Sequence, residues 1–185
     1  MGRLIYTAIT SLEGYFVDAD GEYGWSMPDE EVYAHLMERE ASVATFLLGR
    51  RMYREMTAWE APELVAEDAD FVQNYAGTWA AAEKIVFSRT LDSVTSPRAR
   101  IEREFDPDAV ARLKESAEHD LSISGAELAA EAIRAGLVDE YRQYASPLVV
   151  GGGRHWLPEG VRLPLRLVEH AAFGNGVVYL AYVPA

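Results

Sequence analysis

Three short motifs place a glycine or a hydroxyl residue where an apolar run stops. They are Gly49-Arg50-Arg51 after Thr45 to Leu48, Ser88-Arg89-Thr90 at the end of Lys84 to Ser88, and Ser124-Gly125-Ala126-Glu127-Leu128 after Leu121 to Ile123. In an open α/β sheet, ligands bind outside the carboxyl ends of the strands, so these positions share the side where chemistry is expected. At Gly125 the missing side chain lets a phosphate approach the backbone. The N–H groups of Ala126, Glu127 and Leu128 at a helix start could then receive it, with Ser124 adding a hydroxyl. A tight strand-to-helix turn would use the same glycine, and Glu127 in the first turn suits either reading. Arg50, Arg51 and Arg89 can reach anionic groups at one rim, because a planar guanidinium holds two phosphate oxygens at once. Singly, each arginine reads equally well as a surface ion-pair partner.

A second constellation is Trp25-Ser26-Met27-Pro28-Asp29-Glu30, an aromatic ring before a helix start that carries carboxylates. A carboxylate half-buried beside aromatic rings could relay a proton, whereas the bland reading is acidic dressing of a helix N-terminus. Gly151-Gly152-Gly153 follows Val149-Val150, but Arg154, His155, Trp156, Leu157 and Pro158 do not open a helix, so we read a flexible turn rather than a phosphate loop. The four histidines at 35, 119, 155 and 170 have no metal-ligand spacing. Neither a Gly-x-Ser-x-Gly elbow nor a Walker loop occurs.

Composition limits the possibilities further. With 185 residues, 49% hydrophobic and 25% charged, residues 1 to 185 are expected to form one globular domain. The absence of cysteine removes disulfides, thiolate zinc sites and a cysteine nucleophile, and makes the cytoplasm the expected compartment. No targeting leader or membrane-length apolar run is read, the run Pro147 to Val150 being far too short. Seventeen basic against thirty acidic residues give a net charge of −13, which argues against nucleic acid or an anionic membrane as partner. A phosphorylated ligand would have to be met locally by backbone N–H groups and a few arginines.

The elements that must position these motifs follow from periodicity. Leu4 to Thr10 reads as a buried first strand; Pro28 with Asp29, Glu30 and Glu31 opens a helix whose face is Val32, Leu36, Met37 and Val43. Thr45 to Leu48 is a strand, Arg50 to Met56 a helix start. Phe71, Tyr75 and Thr78 suggest another helix after the acidic residues Glu67, Asp68 and Asp70. Lys84 to Ser88 is a strand, and residues 99 to 105 form a half-exposed edge strand in which Arg103 interrupts the apolar face. Asp106-Pro107-Asp108 caps a helix. Leu121 to Ile123 is a strand before an alanine-rich helix, Ala126 to Ala135, closed by Gly136. Tyr141 to Ser146, Leu163 to Ala171 and Gly176 to Val183 complete the chain, the last two as a hairpin through Gly174-Asn175-Gly176. The expected fold is α/β: a mixed, mainly parallel eight-stranded sheet with about four helices and a C-terminal antiparallel hairpin.

The motif set as a whole resembles the dihydrofolate reductase-like proteins, in particular the group similar to the C-terminal reductase domain of the bifunctional riboflavin-biosynthesis enzyme. The resemblance covers nearly the whole chain. It rests on Ser11-Leu12-Glu13-Gly14-Tyr15, residues 47 to 53, residues 84 to 90, residues 123 to 128, Gly136-Leu137-Val138-Asp139-Glu140, and Pro147 through Gly153. It implies NADPH as hydride donor, with Gly49, Arg50, Arg51, Ser88, Arg89 and Thr90 holding the adenosine end and its 2′-phosphate. Gly125 to Leu128 would cover the pyrophosphate, and Ile9 and Gly14 would flank the nicotinamide. Trp25-x-x-Pro28-x-Glu30 is similar to the dihydrofolate reductase pattern on the substrate side, which makes Glu30 the proton-relay candidate. The substrate, a small heterocycle or a carbonyl or imine compound, would lie between the nicotinamide and Trp25, Glu30 and Tyr53. A riboflavin-type pyrimidine leads, and dihydrofolate or another pterin is the alternative. Two departures stand out: Glu13 replaces the aspartate of Leu-Asp-Gly, and Ala126 stands where a second glycine is common. A non-catalytic nucleotide-binding paralogue fits the same cleft. In a purely structural oligomer, Tyr141, Tyr144 and Tyr182 would be interface. The resemblance also implies a homodimer.

Overall fold

The computed structural model describes residues 1–61 and 70–185. The acidic stretch Glu67, Asp68 and Asp70 and the helix-face position Phe71 fall outside the described side chains. In chain order the elements are β1 (Leu4–Thr10), β2 (Tyr15–Val17), α1 (Glu30–Glu40), β3 (Val43–Gly49), α2 (Arg50–Met56), α3 (Asp70–Ala81), β4 (Glu83–Phe87) and β5 (Ala99–Glu102). There follow α4 (Pro107–Ser116), β6 (Asp120–Ser124), α5 (Ala126–Arg134), β7 (Glu140–Ala145), β8 (Arg154–His155), β9 (Leu165–Ala172) and β10 (Val178–Pro184). Short 3-10 turns cover Gly24–Ser26 and Thr57–Glu60.

Eight strands form one sheet in the order β5-β4-β3-β6-β1-β7-β10-β9, parallel from β5 to β7 and antiparallel from β7 to β9. Strands joined by helices must run parallel, whereas the turn at 173–177 can only make an antiparallel pair. The expected mixed sheet and C-terminal hairpin are therefore present. Among the described residues the α-helices number five, because α2 and α3, read together as one crossover, are separate elements.

Local chemistry explains the boundaries. Asp29 begins α1 by accepting the Val32 N–H at 3.0 Å, and Asp106 begins α4 by accepting the Asp108 N–H at 2.9 Å, ahead of a proline at the first helical position. Gly136, at φ +68°, ends the last helix: its N–H reaches Ile133 and that of Leu137 reaches Ala132.

Both faces of the sheet are covered. Leu4, Tyr6, Leu47, Leu121 and Ile123 pack under α4 and α5, against Val110, Leu128, Ala129 and Ile133. On the other face, Ile5, Phe46, Leu48 and Val86 pack with Tyr53 of α2 and Trp79 of α3, while Val32 of α1 packs with Tyr144 and Tyr179. This double coverage is why the central strands read as nearly continuous apolar runs. It also corrects one expectation: β7 lies between β1 and β10, so Tyr141 and Tyr144 are 1% and 0% exposed and cannot form an interface.

The sequence gives little sign of the second sheet, the pair β2 and β8, in which Tyr15 faces His155 and Val17 faces Arg154. Gly151, Gly152 and Gly153 all have positive φ and lead into β8. A Cβ on Gly153 would lie 2.0 Å from the Val17 carbonyl oxygen, so only glycine lets these two loops meet. Trp156 is buried below them, its carbonyl accepting the Tyr6 hydroxyl at 2.7 Å.

Candidate functional site at the carboxyl edge of the sheet

From β3 the chain passes through α2 and α3 to β4 on one side; from β6 it passes through α5 and returns to β7 on the other. Strands β3 and β6 are neighbours, so the connections diverge between them, which is the topological position where the ligand crevice of an open α/β sheet lies, outside the carboxyl ends. Gly49 and Gly125 stand on its two lips: a Cβ built on Gly125 would lie 3.9 Å from the Gly49 nitrogen. That distance is ordinary contact, so space does not demand glycine at 125. Its backbone does, with φ at +101°. Gly125 starts α5 without a side-chain cap, and the first helical bond is donated by Ala129 to the Gly125 carbonyl. The N–H groups of Ala126, Glu127 and Leu128 precede that bond and are the unpaired donors of a helix N-terminus. Ser124 closes β6 half-buried beside them, whereas the Leu128 side chain belongs to the core, leaving only its backbone for a ligand.

The arginine motifs close the neighbouring side. Arg50 donates to the Thr90 hydroxyl, tying the start of α2 to the loop after β4. Ser88 is buried and folds that loop, its Oγ accepting the N–H groups of Thr90 and Leu91 at 3.3 and 3.0 Å. It is thus a loop-former rather than an exposed donor. Arg89 is exposed and paired loosely with Glu104 at 3.6 Å, and Arg51 is exposed on the first turn of α2. Arg103, the break in the apolar face of the edge strand, donates to the carbonyls of Ser88 and Leu91 at 3.1 and 2.7 Å. That break was the signal for its role.

Tyr53 belongs to the core under α2. It is 3% exposed, and its hydroxyl oxygen accepts from Thr95 N, Ser96 N and Ser96 Oγ at 2.9, 3.1 and 3.0 Å. Burial pushes its pKa up, but these donors outweigh burial and hold it below the ordinary tyrosine value. In this structure Tyr53 fastens α2 to the 95–96 segment.

At the end of β1, Ile9 is half-buried, and Gly14, at φ +89°, has its Cβ direction filled by His155 and Trp156. Glu13 accepts the N–H groups of Val150 and Gly151 at 2.7 and 3.2 Å, so the residue that departs from the resembled pattern pins the glycine-rich loop. Trp25 donates from Nε1 to the Glu22 carbonyl at 3.0 Å. Glu30 is exposed at the first position of α1, without the half-burial that would favour a proton relay. Its neighbour Glu31 accepts the Gly174 N–H at 3.0 Å. A groove of about 320 Å³ between α1 and α3, lined by Met37, Glu40, Tyr75 and Thr78 among others, contains none of these residues. Among the described residues no group of His, Asp or Glu could hold a metal ion, and no helix is long and apolar enough to cross a membrane.

This mixed sheet, with its crevice and C-terminal hairpin, is the dihydrofolate reductase-like fold. Residues 3–179 match the RibD C-terminal domain family, and the chain belongs to that family. The protein YyaP of Bacillus subtilis (strain 168), itself uncharacterised, is 27% identical over 183 residues, covering 97% of this chain and 94% of YyaP. A solved structure from Shewanella sp. PV-4, of a protein assigned to riboflavin biosynthesis, superposes with a TM-score of 0.74 at 20% identity and 99% coverage of both chains. The dihydrofolate reductase of Enterococcus faecalis, solved with NADP(H) and RAB-propyl, superposes at 0.65 with 14% identity, covering 99% of this chain and 96% of that one.

Proposed function

We propose that the protein is an NADPH-dependent reductase that delivers hydride to a small heterocyclic or imine or carbonyl substrate, of the kind reduced in riboflavin biosynthesis. The observation that carries this reading is the divergence of the connections after β3 and β6, with Gly125 at φ +101° before three uncapped N–H groups and Gly49 facing it. This is the arrangement that receives a diphosphate without a basic loop. Family membership supplies the reductase class.

The cofactor, when bound, supplies the hydride. The residues of the chain bind, orient and exclude water. Ala126, Glu127 and Leu128 donate backbone N–H groups to the diphosphate with Ser124 beside them. Gly49, Arg50, Arg51, Arg89 and Thr90 take the adenosine end and its 2′-phosphate, on the loop that Ser88 shapes. Ile9 and Gly14 border the nicotinamide position, Trp25 borders the substrate, and Glu30, once substrate covers it, is the group that relays a proton to the reduced substrate. Orientation of hydride donor and acceptor is the larger part of such catalysis. The working assembly is a homodimer, which light scattering on the purified chain would test.

Titration with NADPH, followed by nicotinamide fluorescence, is the first experiment. A saturable signal is expected, and none at millimolar cofactor would sink the reading. Trp25-x-x-Pro28-x-Glu30 favours dihydrofolate as the second substrate to assay. Cofactor binding without oxidation by any pterin, flavin precursor or quinone would leave the non-catalytic paralogue standing.

A further inference from the structure

Arg154 is a charged residue at the rim that belongs to none of the three strand-end motifs. Its backbone is placed by the smaller sheet: β8 lies so close against β2 that a side chain on Gly153 would strike the Val17 carbonyl, and Val17 faces Arg154 in the register. From there Arg154 Nη1 reaches Glu127 Oε1 at 2.7 Å, with the two side chains 43% and 84% exposed. Glu127 lies in the first turn of α5, among the N–H groups that precede the first helical hydrogen bond. Arg154 therefore stands on the α5 side of the crevice. Arg50 is held by Thr90 and Arg89 by Glu104 across it, on the β4 side.

Resting on the dinucleotide reading above, we propose that Arg154 is the arginine that reads the cofactor diphosphate, and that Glu127 occupies its guanidinium until the dinucleotide displaces it. Exposed pairs of this kind are weak, because water screens them and two long side chains must be ordered. A diphosphate offers more charge than one carboxylate and matches the guanidinium fork with two oxygens, so it wins the exchange. The same helix start that attracts Glu127 attracts the incoming phosphate. In a chain of net charge −13, the exchange provides one cation where the anion arrives and keeps it neutralised otherwise. Glu127 thus sets the affinity by competition, and Arg154 sets the preference for a diphosphate over other anions.

The test compares NADPH with adenosine 2′-monophosphate, which carries the 2′-phosphate but neither phosphate of the diphosphate bridge, by calorimetric titration of the whole chain. Arg154→Ala should weaken NADPH about tenfold or more, the usual scale for a lost charge-assisted pair, and change the 2′-monophosphate by less than about twofold. Arg154→Lys should fall between, keeping charge without the fork. Glu127→Gln, an exposed substitution that leaves the core untouched, should tighten NADPH about two- to fivefold, and that gain should vanish in the Arg154→Ala background. Unchanged NADPH affinity in both single variants overturns the role of Arg154 while leaving the dinucleotide reading intact. Equal weakening of both probes by Arg154→Ala also overturns it, because that is a general field effect. If the wild-type chain takes up neither probe at millimolar concentration, the dinucleotide reading itself has failed.

Discussion

The two ends of the parallel sheet use charge in opposite ways. At the amino-terminal end, Arg3 bridges Asp120 and Glu140, each at 2.6 Å, and Arg142 holds Glu140 at 2.6 Å and Glu40 at 3.7 Å. Lys114 pairs with Asp139 at 2.7 Å, and Asp139 also accepts the Leu4 N–H. Arg142, Glu140 and Glu40 are nearly inaccessible, with side chains 5, 9 and 7% exposed. At the carboxyl end, Arg50, Arg51, Arg89, Arg154 and Glu127 are exposed, and their partners are few and distant or easily screened. Buried charges must be paired to exist at all, whereas exposed ones cost little to re-pair. One end of the sheet is thus committed to stability, and the other keeps its arginines available.

Breaking the buried end should cost most. Arg142→Met strands Glu40 and Glu140 without their shared cation, and a loss of about 3–5 kcal/mol in urea unfolding is expected. A loss below about 1 kcal/mol would mean that water already reaches those carboxylates. Next comes Tyr53→Phe, which leaves the Thr95 and Ser96 N–H groups without their acceptor at a cost of roughly 1–3 kcal/mol. Because Tyr53 fastens α2 behind Arg50, NADPH should weaken as well; weaker NADPH binding at unchanged stability would instead return Tyr53 to the ligand. Gly125→Ala forces a Cβ at φ +101°, a strain of about 1–3 kcal/mol, and should weaken NADPH by tilting the first N–H groups of α5. Arg89→Ala, at a 79% exposed side chain, should leave unfolding within about 0.5 kcal/mol of wild type while favouring NADH over NADPH, as competition titrations would show.

The same contrast explains what the sequence could disclose. Elements were legible because each announces itself locally: Asp29 and Asp106 as caps, Gly136 as a stop, and doubly buried strands as apolar runs. The rim was legible because a strand end next to a glycine is a local pattern. Contacts between distant segments left no such mark. Tyr53 looks like a free aromatic beside the Gly49 motif until the 95–96 backbone is seen to occupy its hydroxyl. Glu13 reads as a departure until Val150 and Gly151 donate to it. The pair β2 and β8 is only five residues in all, too few for any periodicity, and depends on Gly153 meeting a carbonyl more than a hundred residues away. Arg154 could be placed only once that pair was known.

The smallest effect concerns a half-buried group between the two ends. His35 of α1 shares a hydrogen bond of 2.9 Å with the Tyr144 hydroxyl and is enclosed edgewise by the rings of Tyr144, Phe173 and Tyr179. Burial, assisted by Arg39 and Arg142 and opposed by Glu169 and Glu38, lowers its pKa below the usual histidine value. The folded state therefore binds less proton than the unfolded chain just below pH 6.5, so stability falls as pH drops through that value and levels off below the folded pKa. Burial raises the pKa of Glu40, and its contribution runs the other way, weakening the fold as pH rises above the ordinary carboxylate range. The two act in opposite senses between the ordinary carboxylate and histidine values, so wild-type melting alone does not separate them. His35→Gln keeps a hydrogen-bonding partner for Tyr144 and removes the titration. The melting-temperature difference between wild type and this variant should therefore depend on pH below the ordinary histidine value of about 6.5. It should move against the wild type as pH falls. A difference independent of pH would show that His35 stays equally solvated in both states, and that the aromatic enclosure around it opens more easily than its ring contacts suggest.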